Sequence, residues 1–184
     1  MENTFLPNKY ELPKASGNYM RLEKGENKFR VMSSAIVGYE YWTNENKPVR
    51  SPEPFRETPN IKIDSNGKKS IKHFWAFVVW NYKAKQIQIL ELTQSTIMGA
   101  IEALVKNEDW GDPKNYDITI SRVGDGMETE YATMPSPHKT APVEATQSYA
   151  DMTIHIEKLY TGDDPFEAST EKNSNDINVN EIPL

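Results

Sequence analysis

The chain has 184 residues and no cysteine, which is enough for one domain with a modest core plus some unstructured length. The composition leaves no disulfide, thiolate nucleophile or Cys-type zinc site, and its three histidines offer little for a histidine-built metal centre. The longest apolar run, Ala76 to Trp80, is far shorter than the roughly 18 to 20 residues of a membrane span. Residues 1–10 lack a signal-peptide pattern. We therefore expect an intracellular, cytoplasmic protein without a cofactor, a metal or a membrane partner.

Charge is unevenly distributed along the chain, although the formal net charge is −6. Residues 14–85 contain 14 Lys/Arg and 7 Asp/Glu, whereas residues 86–162 contain 5 and 12. Residues 163–184 contain one Lys and six acidic residues. This asymmetry favours a polyanionic partner, with the acidic tail as an internal competitor. On charge alone, a solvated mixed-charge surface with a disordered end is the alternative.

The first half of the chain predicts an arm, strands and a flap. Residues 1–17 contain two prolines and little periodicity, which indicates an N-terminal arm. Residues 27–43 alternate and are rich in β-branched and aromatic residues, which predicts one long strand or a pair bent at Gly38. Four prolines and many polar residues make residues 44–70 a loop flap with a short strand at residues 60–64.

The middle of the chain predicts a hairpin followed by a helix. Ile71 to Tyr82 is the most apolar segment and predicts a central strand. Gln86 to Leu92 alternates and follows a short link, so it is the expected hairpin partner. Apolar residues at helical spacing then predict a helix over about residues 94–106, capped by Thr93.

The last part of the chain predicts a second hairpin and a tail. Residues 116–123 and 127–134 are expected strands joined by a tight turn at Gly124 to Gly126. Residues 143–160 predict a short helix, and residues 161–184 a disordered acidic tail. This order is typical of a mainly β protein with an OB-fold-like five-stranded barrel and one inserted helix, spanning residues 18–160.

The sequence contains no Gly-rich phosphate loop, nucleophile elbow or zinc-protease helix. Adjacent acids such as Glu108 and Asp109 are typical of solvated loops, and His73 has no second ligand at metal-binding spacing. These observations predict a protein that is not an enzyme. A metal-dependent nuclease is disfavoured because the acids do not cluster in the basic half.

Aromatic rings and cations interleave in the basic half, as single-stranded nucleic acid requires for base stacking and phosphate contacts. Trp42, Trp75, Trp80 and Tyr82 are the main stacking candidates. The full predicted DNA-binding set is Tyr39, Tyr41, Trp42, Lys47, Arg50, Arg56, Lys68, Lys69, Lys72, Phe74, Trp75, Trp80, Tyr82 and Lys83. Arg21, Lys28 and Arg30 are second-choice cations. Alternation puts aromatic rings on both faces of the central strand, so spacing alone leaves open which face fills the barrel.

The C-terminus presents a small apolar tip on a charged stretch, which suits docking in a groove of another protein. The predicted partner-binding residues are Asp176, Glu181, Ile182, Pro183 and Leu184.

Six segments between roughly Tyr19 and Tyr131 carry a resemblance to a known family: Gly25 to Met32, Lys47 to Ser51, His73 to Ala76, Ile87 to Thr93, Asn107 to Pro113 and Tyr116 to Ile118. These segments resemble phage single-stranded DNA-binding proteins of the OB-fold type that act in replication. The end, Glu181 to Leu184, is similar to the acidic Ile-Pro-Phe tip of bacterial single-stranded DNA-binding proteins, with Leu in place of Phe. Some phage relatives carry a zinc site in the flap. This chain has no cysteine that could form such a site.

The resemblance implies a non-enzymatic protein that binds single-stranded DNA with little sequence preference during phage replication, recombination or repair, inside an infected or lysogenic bacterial host. Its tail is implied to recruit replication or recombination proteins and to compete with DNA. The protein is a possible homo-oligomer, and the preference for DNA over RNA is open. The alternative is a protein-interaction adaptor whose aromatics are core residues.

Overall fold

The computed structural model describes residues 17–166, which form one mixed β-sheet with a helix packed on each face. The strands are β1 (Tyr19–Met20), β2 (Gly25–Val31), β3 (Ile36–Trp42), β4 (Pro48–Ser51), β5 (Lys72–Asn81), β6 (Gln86–Leu92), β7 (Asp117–Val123) and β8 (Glu130–Pro135). The helices are α1 (Ser95–Lys106) and α2 (Val143–Ala150), with three short 3₁₀ turns at Pro113–Asn115, Gly126–Glu128 and Ile156–Tyr160. The predicted mainly β character is confirmed. The arm residues 1–16 and the partner-binding residues Asp176 and Glu181 to Leu184 lie outside the described residues.

The most apolar segment forms the central strand, because β5 pairs with three other strands. β6 pairs antiparallel along one edge of β5, from Trp75 opposite Leu92 to Asn81 opposite Gln86. On the other edge, β3 pairs with the first half of β5 and β2 with the second half. The predicted hairpin of the central strand is therefore confirmed.

The first strand region is a strand pair, but the break lies at residues 32–35 and not at Gly38. Gly38 sits inside β3, where a Cβ atom would lie 2.2 Å from the Ser51 carbonyl oxygen. This glycine is therefore required by the close approach of β4, which belongs to the flap. The flap has no strand at residues 60–64 and instead holds two isolated bridges, Thr43 with Ile61 and Ile63 with Lys69.

The sheet order is β1-β6-β5-β2-β7-β8, and β3 and β4 extend from the free half of β5. β1 pairs parallel with β6, and β8 pairs antiparallel with β7. The described strands therefore form an eight-stranded sheet whose end strands, β1 and β8, do not pair with each other, in contrast to the predicted five-stranded barrel. The number of strands is higher because the break at residues 32–35 divides one predicted strand, the flap contributes β4, and β1 forms where no strand was predicted.

One face of the sheet, the inner face, carries the main core. Phe77 and Val79 of β5 pack there with Leu90 of β6 and Ile118 of β7. Helix α1 covers them with Ile97, Met98 and Ile101, so the predicted helix is confirmed. Its N-cap residue is Gln94, not the predicted Thr93. Within residues 17–166, no helix is both long and apolar enough to cross a membrane.

The opposite, outer face carries a second core, covered by residues 143–166, which we call the C-terminal strap. The strap contains α2 and a 3₁₀ turn in place of the single helix predicted over residues 143–160. Its buried residues Ala145 and Leu159 pack on Phe74, Val78 and Trp80 of β5. Packing continues into the predicted tail, because Pro165 is buried and the Phe166 ring lies 6.3 Å from the Tyr19 ring.

Candidate nucleic-acid interface

The structure separates the predicted DNA-binding residues into buried and accessible groups. The buried residues are Tyr41, Phe74 and Trp80. The half-buried residues are Tyr39, Arg50, Trp75 and Tyr82. The exposed residues are Trp42, Lys47, Arg56, Lys68, Lys69, Lys72 and Lys83.

Three of the predicted rings are core residues in this structure. Phe74 and Trp80 point to the outer face, where the strap covers them, and the Tyr160 ring stands edge-on to Phe74 at 6.2 Å. Tyr41 packs edge-on against Phe55 at 4.8 Å and donates its hydroxyl to the Pro59 carbonyl at 3.2 Å. In contrast to the prediction, these rings are not available for base stacking. Alternation could not show this, because the layer that covers the outer face comes from residues 143–166.

Arg50 is held by carboxylates and is not a free phosphate contact. Its Nε lies 3.2 Å from Glu40 Oε2, and its Nη2 lies 2.7 Å from Glu91 Oε2. The guanidinium also lies 5.7 Å from the centre of the Phe74 ring. Burial and a hydrogen bond with Glu40 raise the pKa of Glu91 to about 8, against the opposing charge of Arg50. This predicted DNA contact is therefore part of an internal charge cluster.

An open cleft lies between β3, the start of β5 and the flap, and we call it the flap cleft. It has a volume of about 300 Å³, and its lining includes Trp42, Lys62, Ile63 and Lys72. The Trp42 side chain is 45% exposed. The flap is tied to β3 at this point, since the Lys62 amide donates to the Trp42 carbonyl at 2.7 Å. The cleft thus combines an accessible indole with two lysines on a fixed backbone.

Four further cations, Lys47, Arg56, Lys68 and Lys69, lie on the flap outside the lining of the flap cleft. The turn that carries Lys68 and Lys69 is closed by Asp64, whose Oδ1 accepts the Lys68 amide at 2.8 Å. Lys47 and Arg56 lie elsewhere on the flap and are exposed. None of these four residues has a carboxylate of the described part of the chain within 4 Å of its charged group. The same holds for Lys62 and Lys72, the two lysines of the cleft. Their charge is available to an external anion.

The inner face of the same region presents a second aromatic surface. The Tyr39 and His73 side chains form a cross-strand pair, with ring centres 5.3 Å apart. Trp75 lies two residues further along β5 and is half-buried against the main core. His73 is exposed and was not among the predicted DNA-binding residues. The flap end of the sheet therefore has exposed rings on both faces.

Tyr82 and Lys83 lie at the other end of β5, about 30 Å from Lys72 at the rise of a β-strand. The Tyr82 hydroxyl donates to Asp117 Oδ1 at 2.8 Å, and Lys28 Nζ lies 4.7 Å above the Tyr82 ring. Lys83 pairs with Glu23 on the surface. The structure therefore does not bring the predicted residues together into one site.

Asp117 is the centre of a charge cluster that sequence reasoning missed. Burial alone would raise its pKa, but hydrogen bonds from Lys139, Tyr82 and Arg30 hold the pKa of this carboxyl below its usual range. These partners, Arg30, Tyr82 and Lys139, lie 87, 35 and 22 residues away in the chain, so no local pattern identifies the cluster. The alternation of residues 116–123 shows only that Asp117 lies on the face opposite Tyr116 and Ile118.

The comparisons with known proteins give one match of low identity. No protein-family model and no solved structure matches the chain. The chain is similar to a curated protein of Escherichia phage T5 named "Probable ssDNA-binding protein", with 25% identity over 137 residues. The alignment covers 61% of this chain and 52% of that protein, so the chain spans about half the length of the relative it matches.

Proposed function

We propose that this chain binds single-stranded DNA with little sequence preference through the flap cleft. The observation that carries the proposal is the 45% exposed Trp42 side chain in one open cleft with Lys62 and Lys72. A flat ring stacks on any base, and nearby cations contact the phosphates, which is how proteins hold single strands without reading sequence. The name of the phage T5 relative supports the same ligand.

The wider role follows from that ligand. The relative is named as a DNA-binding protein and not as an enzyme, which supports a non-catalytic role. We propose that this role lies in phage DNA replication, recombination or repair. We also propose that the fold is related to the OB fold, because a helix is inserted between the strands β6 and β7 of a mainly β chain. We also propose that the acidic tail recruits partner proteins, because residues 181–184 form an apolar tip after an acidic stretch and are similar to the tip of bacterial single-stranded DNA-binding proteins.

Intrinsic tryptophan fluorescence provides the test. Oligo-dT should quench the wild-type emission, the affinity should fall steeply with salt, and duplex DNA of equal length should quench much less. Trp42→Phe should remove most of the quenching. Trp75→Phe is the matched control, because Trp75 lies on the inner face of β5 and packs against the main core, outside the flap cleft. Equal quenching in wild type and Trp42→Phe would place the DNA elsewhere.

The proposed competition by the tail needs a truncation that leaves the fold intact. A cut before Pro165 would remove residues that pack on the sheet, since the His155 amide donates to the Pro165 carbonyl at 2.9 Å. Deletion of residues 167–184, which contain four acidic residues and one lysine, avoids this damage. We expect tighter DNA binding and a changed salt dependence. Unchanged affinity and salt dependence would contradict the competition.

The adaptor alternative is favoured by one observation, the exposed apolar side chains near the flap cleft. Ile63 and Ile71 are about half exposed, as is Val37 on the inner face. Such residues fit a protein partner as well as a nucleic acid. Absence of oligonucleotide binding at low salt would select this function, and the same flap residues would then be the surface to test.

A further inference from the structure

A second cleft opens on the outer face at the Asp117 end of the sheet. It has a volume of about 490 Å³ and lies between β2, the 3₁₀ turn before β7, and the connector that follows β8. The lining residues that matter here are Arg30, Lys114, His138, Lys139 and Thr140. None of these residues belongs to the flap cleft, and none was a first-choice DNA contact in the sequence analysis.

Positive charge exceeds negative charge beside this cleft. The buried Asp117 carboxylate is shared by three cations: Arg30 Nε at 2.8 Å, Lys139 Nζ at 2.9 Å and Lys28 Nζ at 3.5 Å. One carboxylate balances only one of them. The Lys139 side chain is 50% exposed, so its ammonium group can contact a ligand in the cleft. An excess of two positive charges in so small a volume favours an additional anion.

The hydrogen bonds of Arg30 independently indicate that an acceptor from a ligand is missing. The residue is 1% exposed, and its Nη1 donates to the Lys139 carbonyl at 3.0 Å and the Lys114 carbonyl at 3.2 Å. Its Nη2 is buried and has no hydrogen-bond partner among residues 17–166. Folded proteins leave few buried donors unpaired, and a guanidinium is a strong donor to phosphate oxygens. The Arg30 side chain forms part of the cleft wall, and its Nη2 can therefore still donate a hydrogen bond to a ligand.

A flat ring lies beside these donors. The exposed His138 ring stacks on Tyr116, with ring centres 5.3 Å apart and planes 8° apart. Trp110 stands edge-on to His138 at 5.9 Å and supports it from the side. Cations next to a ring with one accessible face match a nucleotide, which offers a phosphate and a base together.

We propose that this second cleft binds a backbone phosphate of the DNA strand, with Arg30, Lys114 and Lys139 as donors and His138 beside the adjoining base. The inference rests on the proposed function and extends it. Arg30 pairs with Trp80 and Glu40 with Lys72 across the strands, so both clefts lie on the outer face at opposite ends of β5. The eight residues from Lys72 to Trp80 put the two clefts about 26 Å apart at the rise of a β-strand, a distance that a strand of the 4–16 nucleotides held by one OB fold can span.

The test is an amide chemical-shift titration of isotope-labelled full-length protein with oligo-dT of 4 and of 12 nucleotides, and separately with inorganic phosphate. We expect the 12-mer to shift the amides of His138, Lys139 and Thr140 together with those of the flap cleft. The 4-mer is too short to span both clefts and should not move both sets in one complex. Lys139→Gln should remove the shifts at His138 and Thr140.

Salt dependence gives a second measurement on the same variants. Lys139→Gln should lower the slope of log affinity against log salt by about 0.7, the value for one phosphate contact on a single strand. Lys114 Nζ lies 3.5 Å from Asp112 Oδ2, so Lys114→Gln should lower the slope by less. Lys106→Gln is the matched control, because Lys106 pairs with Glu102 on α1. It should leave the slope unchanged. Thermal unfolding of each variant shows that the fold is retained.

The outcomes separate this inference from the proposed function. Shifts confined to the flap cleft, with unchanged slopes in both variants, would overturn the second cleft and leave DNA binding in place. If no oligonucleotide binds, the proposed function fails. The titration with inorganic phosphate then tests separately whether the second cleft binds an anion. Saturable shifts at residues 138–140 that Lys139→Gln removes would support a phosphate site without DNA. No shift would eliminate the site.

Discussion

Two largely buried arginines on the outer face show that the two ends of the sheet balance charge differently. Arg50, near the flap, lies between two carboxylates, those of Glu40 and Glu91. Arg30, at the other end, shares the single carboxylate of Asp117 with two lysines. Carboxyl groups outnumber cations in the first cluster, where Glu91 holds its proton up to about pH 8, and cations outnumber carboxylates in the second. A buried arginine thus indicates an external anion only where the nearby carboxylates are too few.

The largest effect should follow from removing the one carboxylate of the Arg30 cluster. Asp117→Ala leaves a buried guanidinium without its counter-charge, and breaking such a buried pair typically costs about 3–5 kcal/mol of unfolding free energy. Urea unfolding measures the loss. Asp125→Ala is the control, since Asp125 pairs with Lys24 on the surface and should change stability by less than about 1 kcal/mol. Similar losses in both variants would contradict the central role of Asp117.

The two clusters should also respond to pH in opposite directions. The raised pKa of Glu91, about 8, means that the folded protein holds a proton that the unfolded chain releases above the ordinary value of 4.5. Stability should therefore fall between pH 4.5 and 8, by at most about 1.4 kcal/mol per pH unit. The lowered pKa of Asp117 has the opposite sign, because its contribution is present above the ordinary value and is lost at more acidic pH.

Glu91→Gln isolates the first of these pH effects. The amide cannot release a proton, so the fall in unfolding free energy between pH 5 and 8 should flatten in this variant. Urea unfolding at four pH values, with wild type in parallel, measures the difference. An identical pH profile in wild type and variant would show that the Glu91 carboxyl is not held protonated in the folded state.

The sequence predicted those elements whose periodicity is carried by their own residues. The β5–β6 hairpin and helix α1 have continuous apolar patterns, so their limits were found within a residue or two. The break at residues 32–35 was missed because the polar residues Ser33 and Ser34 gave a weaker signal than Gly38. Gly38 is conspicuous in the sequence, but its role depends on the approach of Ser51, which pattern reasoning does not detect.

The candidate site was less predictable, because its composition depends on which face of β5 is covered. Phe74 and Trp80 have the residue type and the flanking lysines of stacking residues, yet a segment 60 or more residues later covers them. Trp42 was predicted as a stacking candidate, and its exposure depends on how the flap folds back at Lys62. The Arg30–Asp117–Lys139 cluster joins three distant elements, so only the tertiary structure brings it together.

Removing one aromatic ring at a time compares the two faces of the sheet near the flap. Trp42→Ala should weaken oligo-dT binding by about 1–3 kcal/mol, or roughly 5- to 150-fold, because one stacked base loses its partner. His73→Ala removes an exposed ring from the inner face and should leave affinity unchanged. Fluorescence anisotropy of a labelled oligonucleotide measures both. A larger loss for His73→Ala than for Trp42→Ala would move the binding surface to the inner face.

The smallest effect distinguishes free from paired lysines at the two ends of β5. Lys72 has no carboxylate of the described residues within 4 Å, so Lys72→Gln should lower the salt slope of binding by about 0.7. Lys83 pairs with Glu23, so Lys83→Gln should leave the slope nearly unchanged. Equal reductions would mean that DNA displaces Glu23 from Lys83. The strand would then contact both ends of β5 through surface lysines, whatever occupies the second cleft.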